Sequence, residues 1–328
     1  MSRRRWIPIG GTAALLLAAV AWTRIGSGDS MAAPFRSDEA RLRYLAAYDG
    51  WGAEWPLPAE ERMLRTSYGS TFARGSGPPD APVVVLLPGA RSTSLVWAAN
   101  VPALAAAHRV WAVDSIADFG RSVPSRPLGA ADDFVAWLDG VGAALSPDRP
   151  FALAGLSYGG WVAAQYGLAR RERLSALILI APAGTLVPPR AAFIGRALLC
   201  LLPLRWFTHS FSSWLLNDLA TGDAAGRALL ERRVEQTHLA LRSFQPRRPI
   251  APSLLSDEEL RRLPEHTLFI AGSNDRMSDA TAAAARLRSA APHVRIELIP
   301  GAGHDVATAR AERVDALVLE HLDRDVGS

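Results

Sequence analysis

The segment "FALAGLSYGGW", Phe151 to Trp161, sets one serine between glycines as Gly155-x-Ser157-x-Gly159. A serine hydroxyl at its ordinary acidity is a weak nucleophile and needs a base oriented by an acid. Both residue types recur later in the chain, each just past an apolar run. "FIAGSNDRM" carries Asp275, and "LIPGAGHDV" carries His304 in a glycine-flanked loop. Charge developing on a carbonyl oxygen needs two backbone N–H groups. One is the amide of Tyr158, and the second is expected from Ala90 in "LLPGARSTSLVW", where Gly89 lets the chain turn. Together these residues suit acyl transfer: serine attacks a carbonyl, histidine takes its proton, and water then cleaves the acyl-enzyme.

Simpler readings stand beside this one. Ser157 could only cap a helix, although a cap does not demand two glycines. Asp279 falls at a helix start, where capping suffices, and Asp305 adjoins His304 too closely in sequence to hold the imidazole from behind. "LILIAPAG" offers no carboxylate after the preceding strand. The histidines His108, His209, His238, His266, His293 and His321 fall before strands or within helical stretches and read as packing or surface residues.

The elements that must position these residues follow from the apolar pattern. "APVVVLLPG", "HRVWAVDS", "PFALAGLS", "LSALILIAP", "HTLFIAGS" and "VRIELIPG" are short continuous apolar runs, as expected for parallel strands covered on both faces. Amphipathic segments lie between them: "SLVWAANVPALAAA", "DDFVAWLDGVGAAL", "GWVAAQYGLARR" and "DATAAAARLRSAA", with "ATARAERVDALVLEHL" closing the chain. Strand alternating with helix predicts an α/β fold with a mostly parallel, doubly wound sheet. Ahead of it, Arg41 to Tyr48 reads as helix and Glu61 to Gly77 as a hairpin turning at Tyr68 to Ser70. From about 185 to 265 no strand-like run appears, which predicts an inserted helical cap. Its aromatics Trp206, Phe207, Phe211 and Trp214 are expected either to face an apolar substrate or to pack the cap onto the core.

Composition narrows the function classes. The chain has 328 residues, and its 36 basic side chains are all arginine, which excludes a lysine Schiff base and a P-loop lysine. No basic run beyond Arg3 to Arg5 suggests nucleic acid. Cys200 is the one cysteine, so no internal disulfide forms; no Cys/His cluster suggests a metal, and no cofactor is called for. At the start, Arg3 to Arg5 precede an apolar stretch from Ile7 to Trp22, a little short of the ~20 residues of a comfortable span. Residues 1–30 therefore read as a cleaved signal or a membrane anchor, giving an exported or membrane-associated protein, with residues 31–328 forming the main domain. Translation starting at Met31 would instead leave the protein cytoplasmic.

With the serine turn, the acid, the histidine and the loop at Ala90 in view, the chain from about Trp55 onward resembles the α/β-hydrolase superfamily, closest to bacterial carboxylesterase-like serine hydrolases. Besides those motifs, "WPLPAEERMLRTSYGSTF" and "VWAVDSIADFGRSVP" carry the resemblance. It implies an α/β-hydrolase fold, a Ser157-Asp275-His304 triad and a small, rather apolar carboxylic ester as substrate. Where many relatives have His-Gly at the oxyanion loop this chain has Pro88-Gly89, and proline is expected to brace the loop by rigidity. A lipase, thioesterase, peptidase or carbon–carbon hydrolase would use the same triad, and a hydrolase-fold interaction protein without catalysis is a further alternative.

Overall fold

The computed structural model describes residues 34–324 apart from Leu201, Pro203 and residues 247–249; the targeting segment expected at residues 1–30 lies outside the described residues. The apolar runs form strands β3 (Val83–Leu87), β4 (Arg109–Val113), β6 (Phe151–Leu156), β7 (Leu174–Ile180), β8 (Thr267–Gly272) and β9 (Arg295–Ile299), after a hairpin of β1 (Glu60–Thr66) and β2 (Gly69–Ser76). The order across the sheet is β1-β2-β4-β3-β6-β7-β8-β9, and a two-residue β5 (Val123–Pro124) pairs with β2. From β4 to β9 every pairing is parallel, and β2 joins β4 antiparallel.

Alternate residues of each central strand feed opposite faces, as the two-residue period of a strand requires. Val85 and Leu87 enter a core with Phe134, Trp137 and Leu138 of the Ala131–Leu145 helix and Trp161 of the Tyr158–Ala169 helix. Val84 and Leu86 enter the other core, with Trp97, Leu104 and the Val314, Leu317 and Val318 side chains of the closing helix. The sheet is thereby held rigid from both sides at the ends that carry Ser157, Asp275 and His304.

Several expectations shift by local chemistry. Thr66 pairs with Gly69, so the hairpin turns at Ser67–Tyr68 rather than Tyr68 to Ser70. Gly69 is already in the strand, with φ 126°, and an added Cβ there would lie 2.2 Å from the Val123 carbonyl oxygen on β5. "SLVWAANVPALAAA" is not one helix: Ser94–Ala99 is a 3₁₀ turn and Val101–Leu104 a single helical turn, with a proline at its start. The closing helix breaks at Arg310 into Val306–Ala309 and Ala311–Asp323. Most of β9 is half-buried rather than covered on both faces, because it is the last strand of the sheet, and its Arg295 pairs with Glu297 and Glu320.

Between β7 and β8 lie the helices Ala191–Leu199, Arg205–Leu215, Asn217–Thr221, Ala224–Ser243 and Asp257–Arg261. The far end of the Ala224–Ser243 helix is tied to the start of the described chain. Phe244 bridges Phe35, the Arg36 amide donates to the Ser243 carbonyl at 2.8 Å, and the Gln245 amide donates to the Pro34 carbonyl at 2.9 Å. Tyr44 and Tyr48 of the Asp38–Gly52 helix pack into the same aromatic cluster. Among the described residues no helix is long and apolar enough to cross a membrane.

Candidate active site

Ser157 follows β6 directly and opens the Tyr158–Ala169 helix with φ 53° and ψ −113°. A side chain held in such a region costs about 1–3 kcal/mol, so the surroundings must enforce it. They do so by close packing. A Cβ on Gly155 would lie 2.1 Å from the Gly159 carbonyl oxygen, and one on Gly159 would lie 2.5 Å from the Pro88 carbonyl oxygen. The Ser157 amide donates to the Ile180 carbonyl at 2.9 Å, which pins the turn to the end of β7. The side chain makes no capping hydrogen bond to the helix. Its Oγ instead lies 3.0 Å from Nε2 of His304.

His304 sits in the loop after β9, and its Nδ1 is 2.9 Å from Asp275 Oδ2. Asp275 lies just past β8, and its Oδ1 accepts the Met277 amide at 2.7 Å. Both side chains are buried. Burial alone would push the histidine pKa down, but the Asp275 charge and hydrogen bond outweigh it and hold His304 above its ordinary 6.5. Burial likewise opposes ionisation of Asp275, and the His304 charge and hydrogen bond win, holding the carboxyl below its ordinary 3.8. The arrangement favours a carboxylate beside an imidazole able to take a proton from the serine.

The loop after β3 passes over the serine. A Cβ on Gly89 would lie 3.3 Å from the Ser157 Cβ, so Gly89 permits a close approach. The left-handed turn in this loop falls on Arg91, with φ 57°, and not on Gly89. The Arg91 amide donates to Asp118 Oδ2 at 2.6 Å, and Asp118 Oδ1 accepts the Phe119 amide at 2.8 Å. Asp118 is thus a brace for the loop. The Ala90 amide donates to no backbone carbonyl among the described residues. Tyr158 is the first residue of its helix, where N–H groups have no intrahelical acceptor.

The remaining candidates fall elsewhere. Asp279 caps the Ala280–Ala290 helix, accepting the Ala282 amide at 3.0 Å. Asp305 turns from the imidazole and accepts the Leu219 amide at 2.8 Å, while Asp218 Oδ2 accepts the Gly303 amide at 3.0 Å. These reciprocal bonds tie the Asn217–Thr221 helix to the His304 loop. Burial, with the Asp218 charge nearby, raises the Asp305 pKa. Trp206 is 70% exposed, and its ring meets Phe207 edge-on. Phe211 meets Phe193 with the rings tilted at 54°, and Trp214 lies beneath the Arg196 and Arg276 guanidiniums. Cys200 is buried against the Phe207 carbonyl, and burial pushes its thiol up to about 11.

Asp118, Asp218 and the Leu219 amide were not found by reading the sequence. Asp118 had a signal in its place just past β4 at the same sheet edge as Ser157, whereas Asp218 sits inside a helical stretch that offers no such marker.

Comparison with known proteins adds the chemistry of relatives. The alpha/beta hydrolase family model matches residues 84–317. The chain is 30% identical to carboxylesterase YbfK of Bacillus subtilis over 298 residues, 90% of this chain and 97% of the relative. It is 28% identical over 307 residues to the carboxylesterase nap of the same organism, 92% of this chain and 99% of the relative. The crystal structure of a naproxen esterase from Bacillus subtilis superposes with a TM-score of 0.77 at 27% identity, covering 86% of this chain and 97% of that one.

Proposed function

We propose, from the premise that the chain belongs to the alpha/beta hydrolase family and is an ester-hydrolysing enzyme of the carboxylesterase kind, that it works through a covalent acyl-enzyme on Ser157. The observation that carries this reading is the unbroken hydrogen-bonded line from Ser157 through His304 to Asp275. His304 takes the serine proton as Oγ attacks the ester carbonyl, and the tetrahedral oxyanion rests on the Ala90 and Tyr158 amides. His304 then gives that proton to the departing alcohol. A water, deprotonated by the same imidazole, attacks the acyl carbon and returns Ser157 and a free acid. Asp275 remains ionised throughout and holds the imidazole with Nδ1 protonated.

The helices between β7 and β8 serve in this reading as a cap over the serine. Residues 1–30 we read, on sequence alone, as an export signal or anchor. The test is labelling with a fluorophosphonate probe, which reports an activated serine whatever the ester. Wild type should label, while Ser157→Ala should not label and His304→Ala should label far more slowly. Label retained on Ser157→Ala, or absent from wild type, overturns the mechanism. A panel of esters of graded acyl length then separates esterase from lipase activity, and a thioester and a peptide amide of the same acyl group test the thioesterase and peptidase alternatives.

A further inference from the structure

A cleft opens beside the oxyanion loop, between the Asp38–Gly52 helix, residues 91–93 and the Ala224–Ser243 helix. It has ≈ 310 Å³ of space with the open solvent of its mouth counted, and its inner part has room for only one or two water-sized groups, not for a whole ester. Tyr44, Trp51, Gln236 and Thr237 are among its walls, and two arginines, Arg91 and Arg233, line it together. Arg233 is the unusual member. Its guanidinium donates to the Val96 carbonyl at 3.2 Å, and no carboxylate pairs with it among the described residues.

Two arginines near Arg233 are matched. Arg232, the neighbour of Arg233, pairs with Glu54, and Arg205 and His209 share Glu231. Arg91 spends its backbone amide on Asp118, and among the described residues its guanidinium has no ion pair. Burial, with the Arg232 charge beside it, pushes the Arg233 pKa down to about 10, so the group stays charged near neutral pH. A half-buried guanidinium with no carboxylate partner among the described residues has donors free for an anion, and its planar fork matches a carboxylate.

Position ties the cleft to the chemistry. Arg91 directly follows Ala90 and stands two residues past Gly89, whose Cβ position is 3.3 Å from that of Ser157. At about 3.8 Å per residue, the Arg91 Cα at the edge of the cleft lies within about 12 Å of the Ser157 Cβ, a span that a dicarboxylic carbon chain of several methylenes bridges.

We infer that Arg233 and Arg91 form a subsite for a carboxylate carried by the ester substrate, so that the preferred substrates are acidic half-esters. The inference rests on the esterase reading of Ser157. It is tested with ethyl half-esters of succinic, glutaric, adipic and pimelic acids, each measured against its neutral amide counterpart. For at least one chain length, wild type should favour the acid by about 10-fold or more in kcat/KM, as expected for a charge-assisted pair. Arg233→Met should bring that ratio near one, Arg233→Lys should restore part of it, and Arg232→Met should leave it in place. A ratio near one across the wild-type panel, or one that survives Arg233→Met, overturns the inference; Arg233→Lys carries the test if the methionine variant does not fold.

A second arm does not depend on turnover. The half-esters should raise the melting temperature of Ser157→Ala and not that of Ser157→Ala combined with Arg233→Lys, or do so less. If inorganic phosphate stabilises Ser157→Ala and the half-esters do not, the cleft serves a free anion and the substrate assignment is wrong. If no ester is cleaved and the fluorophosphonate fails to label, the esterase reading falls, while this binding arm still reads the cleft.

Discussion

The backbone amide of Arg91 and the carboxylate of Asp118 meet at 2.6 Å, and the residue so held has φ 57° immediately after Ala90. The amide expected to receive the oxyanion is therefore aimed by an acid from a different strand end. Asp118→Ala should lower kcat by about 10- to 100-fold, within the range for a misplaced oxyanion donor, with a smaller change in KM. Asp118→Asn, which keeps an acceptor oxygen, should retain most of the activity. Steady-state kinetics on one neutral ester decide the matter; equal losses in both variants would mean that the charge, not the brace, is what counts.

In the proposed mechanism the His304–Asp275 pair sets the pH dependence. The imidazole must be neutral to act as base, and its pKa is held above 6.5, so kcat/KM should rise with pH through a limb lying above that value. Asp275→Asn removes the charge responsible: the limb should move to lower pH, and kcat should fall by about 10⁴-fold. For stability the signs differ within the pair. The raised histidine contributes fully below 6.5 and loses that contribution as pH rises through its folded pKa. The lowered aspartate contributes above 3.8 and loses it as pH falls through its folded pKa.

Gly159 has no room for a methyl group, with backbone oxygens of Pro88 and Leu87 2.5 Å and 2.6 Å from its Cβ position. Gly159→Ala should destabilise by about 2 kcal/mol or more and lower the thermal midpoint, because backbone cannot yield as a flexible side chain does. Gly195→Ala, with nothing within 4 Å, should leave the midpoint unchanged or slightly raised. Melting curves of the two variants make the comparison.

Asp315 of the closing helix is buried, and its Oδ1 accepts the Asn100 side-chain amide at 2.7 Å. Burial pushes its carboxyl up to about 7 against the pull of that hydrogen bond. Between an unfolded value near 3.9 and that folded value, the native chain keeps a proton the unfolded chain has lost, so stability falls as pH rises. Asp315→Asn should then raise the melting temperature at pH 8, by at most about 4 kcal/mol of stability, and give no such gain at pH 4. A gain equal at both pH values would exclude the proton as its cause.

Much of the fold was legible because the central strands are continuous apolar runs and the helices between them show one apolar face. Ser157, Asp275 and His304 each stand just past such a run, so strand ends located them in advance. What escaped was local backbone geometry. Asn100 and Arg310 interrupt segments whose hydrophobic pattern reads as unbroken helix, and that pattern carries no signal for a local change of dihedral. Arg233 was equally illegible, since an arginine inside an arginine-rich helix looks like solvent-facing charge until the pairing of its neighbours is known.

Asp218 on Gly303 and Asp305 on Leu219 make a two-bond clasp beside the catalytic base, and the bridge from Phe244 to Phe35 secures the other end of that helical span. A roof fastened in this way cannot swing open as one door. A displacement of the Asn217–Thr221 helix would be passed to the His304 loop through these two bonds. The position of that helix and the alignment of the His304 imidazole are thereby coupled, so a change that shifts one shifts the other.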